Sequence, residues 1–210
     1  YLTRAQADYY RQERFAEVFV HLTRAPLSLA ERIAAIEGVA VVEPRIVADV
    51  LLDVPGLPEP ATGRLVSVPG AQRPPLNDLY LRSGRYLAPG ASDEVIASDA
   101  FARANHLEPG DTLGAVIHGR WQQLRIVGTA ISPEYVYEIR GAGDIFPDNR
   151  RFGVFWTDRD ALSAAFDLKD SFNDASATLA PGAVEPDVLA RLDEALEPYG
   201  GLGAYGREDH

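Results

Sequence analysis

Cysteine and methionine are both absent from the 210 residues, and a single lysine, Lys169, stands among 20 basic side chains. Without cysteine there is neither a disulfide framework nor a thiolate metal site, and the redox compartment leaves no mark. No apolar run approaches the ~20 residues that span a bilayer, and no signal peptide is expected in this stretch. No run of five basic residues occurs, and the net charge is −11. This argues against nucleic acid as a partner, because phosphate binding needs basic patches, and acidity disfavours attachment to anionic lipid. The chain opens Tyr1-Leu2-Thr3. A natural gene product starts with methionine, so the expectation is a piece cut from something longer. What remains is ordinary for a globular protein: 46% hydrophobic and 24% charged residues, in a length that suits one large domain or two small ones.

The best-punctuated stretch runs from Gly84 to Pro133. Glu94–Ser98 is a short β-prone run, Asp99–Leu107 a short helix capped by Ser98 or Asp99, and Glu108-Pro109-Gly110-Asp111 a turn. Thr112–His118 and Gln122–Ile131 form a hairpin around Gly119-Arg120. Upstream, residues 1–13 read as a short polar helix, and Phe15–Leu22 alternates as a half-buried strand with His21 on its surface. Ser28 and Glu31 make a capping box for a helix that Gly38 ends. Val39–Val42 starts a strand that Pro44 interrupts, at an edge or a bulge, before Ile46–Val54 resumes the alternation. Pro69–Leu79 has the composition of a crossing linker. Downstream, Phe152–Trp156 is a strand, Thr157 and Asp160 make a second capping box, and Phe172–Leu179 alternates weakly. Pro186 opens a last helix lined by Val188, Leu189, Leu192, Leu196 and Tyr199.

Motifs for chemistry fail one after another. Asp93 and Glu94 are neighbours on a strand and point to opposite faces. His106, Asp111 and His118 match no zinc spacing. Gly141-Ala142-Gly143-Asp144 is too short for a dinucleotide fingerprint. Asp144, Asp148 and Asp158 do not make a calcium loop, and no nucleophile elbow exists. No catalytic residue, metal ligand or cofactor is therefore expected. The surface candidate is the aromatic, charged stretch Tyr135–Arg151. There Tyr135, Tyr137 and Phe146 are interleaved with Glu138, Arg140, Asp148 and Arg150, which is the chemistry of partner contacts. The same residues would equally staple one domain onto another.

Several phrases resemble those of a known family. They are Tyr9-Tyr10-Arg11 with Phe15-Ala16-Glu17-Val18-Phe19, Ile36-Glu37-Gly38-Val39 before Val42-Glu43-Pro44-Arg45, and Leu76-Asn77 ahead of Gly84-Arg85. Asp93-Glu94-Val95-Ile96-Ala97-Ser98, Pro109-Gly110-Asp111, Ile126-Val127-Gly128, Ser132-Pro133-Glu134-Tyr135-Val136-Tyr137 and Phe172-Asn173-Asp174 continue the series. In order and spacing they resemble the extracytoplasmic, MacB-like periplasmic core domain of FtsX/MacB/LolE-type ABC transporter permeases. The resemblance implies an α+β fold: a porter-like subdomain of β-α-β units, residues 14–70 and 151–210, with a smaller, mostly β subdomain, residues 71–150, inserted. Residues 1–13 would continue a membrane helix. It further implies a place on the periplasmic or extracellular face of the membrane, within a multi-pass protein. The partners would be the rest of its own permease, a cytoplasmic ATP-binding subunit, and a second outer domain or an outside partner. No nucleotide binding or catalysis is implied, and no subgroup motif identifies the cargo, whether lipoprotein, peptide, drug or a regulated cell-wall enzyme.

Two other readings compete. A free-standing soluble hydrolase or transferase requires a cleft that gathers Asp93 or Glu94 with His106 or His118 and shifts their pKa values. A cell-surface scaffold requires a large exposed apolar patch. On the family reading, Pro69–Leu79 and Tyr135–Arg151 are the expected hinges. Crystal forms with different packing should then differ in interdomain angle, and identical angles throughout would count against it.

Overall fold

The computed structural model describes residues 14–70, 72–135 and 148–210, together with Arg4, Ala5 and Asp8, which are helical. Strands and helices mix as an α+β fold, and the strands form two sheets.

The four-stranded sheet has the order β11-β1-β10-β2, with β1 at Val18–Pro26, β2 at Val39–Arg45, β10 at Ser171–Leu179 and β11 at Tyr205–Gly206. β1 and β2 both run antiparallel to β10, which lies between them. Helix α1 (Ser28–Ala34) links β1 to β2, and α4 (Glu185–Leu196) links β10 to β11. This is the split β-α-β arrangement. Both helices bury an apolar stripe on one face of the sheet. Leu29 and Ile33 of α1 and Val188, Leu192 and Leu196 of α4 pack on Val18, Val20 and Leu22 of β1 and on Phe172, Ala175 and Ala177 of β10. The alternation in β1 sends Phe19 and His21 to the opposite face, which the helices leave uncovered.

Seven strands make the second sheet, in the order β5-β8-β6-β9-β4-β3-β7, and β7 also pairs with β8. That pairing closes six of them into a barrel and leaves β5 (Tyr80–Gly84) as an appended edge. The closing strand is β8 (Arg120–Ile131), long enough to pair β7 (Thr112–Ile117) along its first half and β5 along its second. The β7–β8 hairpin turns on His118 and Gly119, both at positive φ, as a two-residue primed turn requires. Inside lie Leu52 and Val50 of β3 (Val47–Asp53), Leu65 of β4 (Ala61–Val68), Val95 and Ala97 of β6 (Glu94–Ser98), and Phe155 of β9 (Phe152–Asp158). Helices α2 (Asp99–Ala104) and α3 (Arg159–Ala165) plug this core with Phe101 and Leu162.

β3, β4 and β9, which fall within 14–70 and 151–210, pair in the seven-stranded sheet rather than in the four-stranded one. The chain passes between sheets at Ile46, one residue from β2 to β3, and again between α3 and β10. Pro69–Leu79 and the start of Tyr135–Arg151 are thus not where the sheets change. Pro44 does lie on an edge strand, since among the described residues β2 pairs only with β10.

Both expected capping boxes also fail. Leu27, not Ser28, is the N-cap of α1, without a side-chain bond. At α3 the cap is Asp158, whose Oδ1 accepts from the Ala161 N–H, while the Thr157 hydroxyl donates to the Glu94 carbonyl. Ser98 caps α2 by position only, and its hydroxyl accepts from the Val154 N–H.

β9 approaches α2 closely at Gly153, where a Cβ would lie 2.5 Å from Cγ of the fully buried Phe101. Phe101 is locked edge-on against Phe155 with ring centroids 5.2 Å apart, so it cannot retreat. Gly153→Ala should therefore cost about 1–3 kcal/mol through overpacking. Urea denaturation measures it, and an unchanged midpoint would show that the helix yields freely.

Candidate functional site

The uncovered face of the four-stranded sheet carries charge where a sheet core is normally apolar. Register builds it: His21 on β1 stands opposite Asp174 on β10, and Asp174 stands opposite Arg45 on β2. The next row places Phe19, Ser176 and Glu43 side by side. Strand alternation makes Arg45 and Glu43, two apart, share this face.

Arg45 is the hub, and it is only 3% exposed. Its Nε donates to Asp174 Oδ1 at 2.8 Å, while Nη1 and Nη2 donate to the two oxygens of Glu134 at 2.6 and 2.8 Å. Glu134 follows β8, so one guanidinium fastens the four-stranded sheet to the barrel by a planar two-point fork. Asn77, at φ +52°, enters from the proline-rich segment and closes the ring. Its Nδ2 donates to Glu134 Oε2 at 3.1 Å, and its Oδ1 accepts from the Ala16 N–H at 2.8 Å. On the far side His21 Nδ1 meets Asp174 Oδ2 at 2.5 Å, and its Nε2 meets the Tyr205 hydroxyl at 2.9 Å. His210 Nε2 reaches the Glu134 carbonyl at 3.1 Å, with its ring stacked 4.2 Å from that of Phe19.

The titration behaviour follows from this packing. Burial works against charge on Arg45, but Asp174 and Glu134 outweigh it and hold the guanidinium well above its ordinary range. Burial likewise would raise the Asp174 carboxyl, yet Arg45 and His21 keep it below the usual carboxylate range. Glu43 goes the other way. Burial, with Glu134 and Asp174 nearby, pushes it to about 7 despite Arg45 and the Leu76 N–H.

The structure brings few of the sequence candidates together. Tyr135 is packed edge-on against Trp156 and His210, at 6.4 and 6.2 Å, and burial raises its hydroxyl well above the ordinary value. Asp148 and Arg150 are exposed, with Asp148 paired to Arg151 at 3.7 Å. Tyr137, Glu138, Arg140 and Phe146 lie outside the described residues. The cleft required by the enzymatic reading is not formed by Glu94. That carboxylate is taken by Arg85 at 2.5 Å and by the Ala88 N–H, which keep it below its ordinary range, while His118 stacks on Phe166. Among the described residues no group of three or more His, Asp or Glu is placed to hold a metal ion. The exposed apolar patch of the scaffold reading reduces to one cross-strand row, Leu51–Val116–Trp121, on the outside of the barrel.

Sequence reasoning missed His21, Glu43, Arg45, Asn77, Glu134 and Asp174. One signal was present: charges at positions where the alternation of β2 and β10 expects apolar side chains.

Two measurements test the cluster. Arg45→Ala leaves two carboxylates buried without their cation and should cost about 3–5 kcal/mol. Glu43 holds its proton more tightly folded than unfolded, with an ordinary value of 4.5 against about 7. Its full stability is therefore present below 4.5 and is lost as pH rises through about 7. Glu43→Gln should consequently stabilise the chain by an amount on the order of 3 kcal/mol at about pH 8 and by nearly nothing at about pH 4. A pH-independent difference in denaturation midpoint would refute the assignment.

No protein-family model matches the chain, and no curated protein matches it. Solved structures do. The periplasmic region of MacB from Actinobacillus actinomycetemcomitans superposes with a TM-score of 0.55 at 11% identity, over 98% of this chain and 95% of that one. The extracellular domain of the noncanonic ABC-type transporter YknZ from Gram-positive bacteria gives 0.54 at 11% identity, over 91% of this chain and 98% of that one. From end to end, the chain carries the fold of these extracytoplasmic transporter domains.

Proposed function

We propose that this chain is the extracytoplasmic domain of an ABC transporter permease. It would stand on the periplasmic or extracellular face of the membrane and pass motion from a cytoplasmic ATP-binding subunit to cargo or partners outside. The observation that carries the reading is coverage: the fold matches nearly the whole of the MacB periplasmic region and nearly the whole of this chain together. A match confined to the split β-α-β sheet would say little, because that arrangement serves many functions. Here the match extends over 98% of the chain.

The ionic cluster supports a mechanical role. A buried charge network contributes less to net stability than apolar packing of the same volume, but its geometry is exacting. Arg45 holds Glu134 by two bonds, so a shift of either sheet by a few tenths of an ångström is felt by both. That suits a part that transmits displacement between rigid bodies. The residues facing outward at the end of the barrel excursion, Asp148 and Arg150, are exposed, as a partner contact requires, and the neighbouring Tyr137, Glu138, Arg140 and Phe146 complete the proposed contact.

Two experiments test the proposal. The coding sequence on either side should specify apolar segments of ~20 residues, one shortly before Tyr1 and one shortly after His210. A start codon or a soluble domain on both sides would sink it. Because the chain lacks cysteine, a single Leu202→Cys, at a position 80% exposed, gives a unique thiol within it. In intact cells that thiol should react with a membrane-impermeant maleimide. Labelling only after lysis would place the domain on the wrong side of the membrane.

A further inference from the structure

The chain has two tryptophans, and the fold treats them in opposite ways. Trp156 is 3% exposed, whereas Trp121 on β8 is 61% exposed on the outside of the barrel. An indole left in water forgoes one of the largest burial gains that a side chain offers. Its position is nevertheless fixed. A Cβ at Gly114 of β7 would lie 2.6 Å from Trp121 Nε1 and 2.8 Å from its Cε2, so the ring lies over the glycine, which is buried although it faces outward. One side of the indole therefore rests on the sheet, and the other is open. Covering a strand glycine accounts for the first side and leaves the second without a purpose.

The strand register frames the ring. Val116 stands opposite Trp121, and Leu51 of β3 stands opposite Val116, so the apolar row crosses three strands, a span of about 10 Å. In the next row Asp53 of β3 and Gln123 of β8 stand on either side of Gly114, and hence at the edge of the indole. Gln123 Nε2 donates to the Thr112 hydroxyl at 3.1 Å, which leaves the amide oxygen to accept. Among the described residues neither the Asp53 carboxylate nor the indole N–H has a hydrogen-bond or ion-pair partner. Three apolar side chains fall far short of the ~800 Å² that each side of a stable protein interface buries. The face is that of a small ligand, with a flat apolar floor and a polar rim that holds donors and acceptors.

We infer that Trp121 is the floor of a carbohydrate site, and that its ligand is a β-linked pyranose chain. In an all-equatorial pyranose the C–H bonds point to the two faces and the hydroxyls radiate in the plane of the ring. Such a face lies on the electron-rich plane of the indole, while the hydroxyls at its rim reach Asp53 and Gln123. A carboxylate suits this ligand because its two oxygens accept from neighbouring hydroxyls at once. Val116 and Leu51 continue the floor and give a second sugar ring a place to lie. The Asp53 carboxylate and the net charge of −11 disfavour an anionic ligand. A single flat ring is also not the aromatic cage that a compact alkylammonium requires. The site does not rest on the permease reading, and its test is independent of membrane topology.

Because Trp156 is buried, acrylamide in solution reports on Trp121. The probes are cellotetraose and chitotetraose, both β-linked, with sorbitol as a hydroxylated chain that has no ring face. Each is added to the 210-residue chain at up to about 10 mM. A tetrasaccharide should shift the tryptophan emission to the blue, protect it from acrylamide, and receive saturation transfer at its C–H protons by NMR. Trp121→Ala and Asp53→Ala should each weaken binding by about tenfold in the NMR titration. Binding of one tetrasaccharide assigns the sugar, and binding of both assigns the shared ring; either supports the site. Silence from both, an equal response to sorbitol, or a Trp121→Ala chain that binds normally would overturn it. A blue shift on phosphatidylglycerol vesicles, or a Trp121-dependent dimer in sedimentation, in place of sugar binding would give the face to lipid or to a second copy and overturn it too. Should Trp121→Ala not fold, the double variant Asp53→Ala with Gln123→Ala changes only exposed side chains, and affinity retained there overturns the site equally.

Discussion

A guanidinium buried between two sheets must be matched on both sides, and the remainder of this structure is arranged to match Arg45. The four-stranded sheet supplies Asp174 in register beside it, and the barrel supplies Glu134 from the end of its longest strand. Neither carboxylate would tolerate this burial alone, since desolvating an ion costs several kcal/mol unless a partner lies within bonding distance. The proline-rich segment then has a purpose: it delivers Asn77, held in a left-handed backbone conformation, to cover the oxygen of Glu134 that Arg45 shares. The cluster carries more acidic groups than cationic ones, and the surplus falls on Glu43, which gives up its charge near neutrality.

Much of the local structure was legible from sequence because it is periodic. The alternation of Phe15–Leu22, the punctuated run from Glu94 to Asp111 and the stripe of the last helix all specify one element each. Caps were less legible. Ser28 and Thr157 have the right spacing, yet hydroxyls have other acceptors to choose from, and Thr157 donates its proton to the Glu94 carbonyl. Sheet membership was illegible for a deeper reason. Alternation states which face a side chain takes, not which sheet the strand joins, and the pattern continues smoothly through Ile46 while the chain changes sheets beneath it. The interrupted strand from Val39 to Val54 was therefore two strands.

The ionic row was hidden by the same limitation. His21, Asp174 and Arg45 become neighbours only because β10 inserts between β1 and β2, an order that puts residues 153 apart in direct contact. Local spacing carries no such information. Its trace was the weak alternation of Phe172–Leu179, where Asp174 replaces an apolar side chain. A charged residue in an otherwise buried strand demands a counter-charge, and in this chain the counter-charge comes from a strand far away in sequence.

The one-residue passage at Ile46 has a geometric consequence. Two bodies joined by a long linker can slide, tumble and separate. Here Ile46 is itself clamped, its N–H to the Ser67 hydroxyl and its carbonyl to the Ser67 N–H, leaving no slack in the chain. The other passage, between α3 and β10, is longer. At Ile46, therefore, the two sheets meet without slack, and the backbone itself sets their spacing at that point.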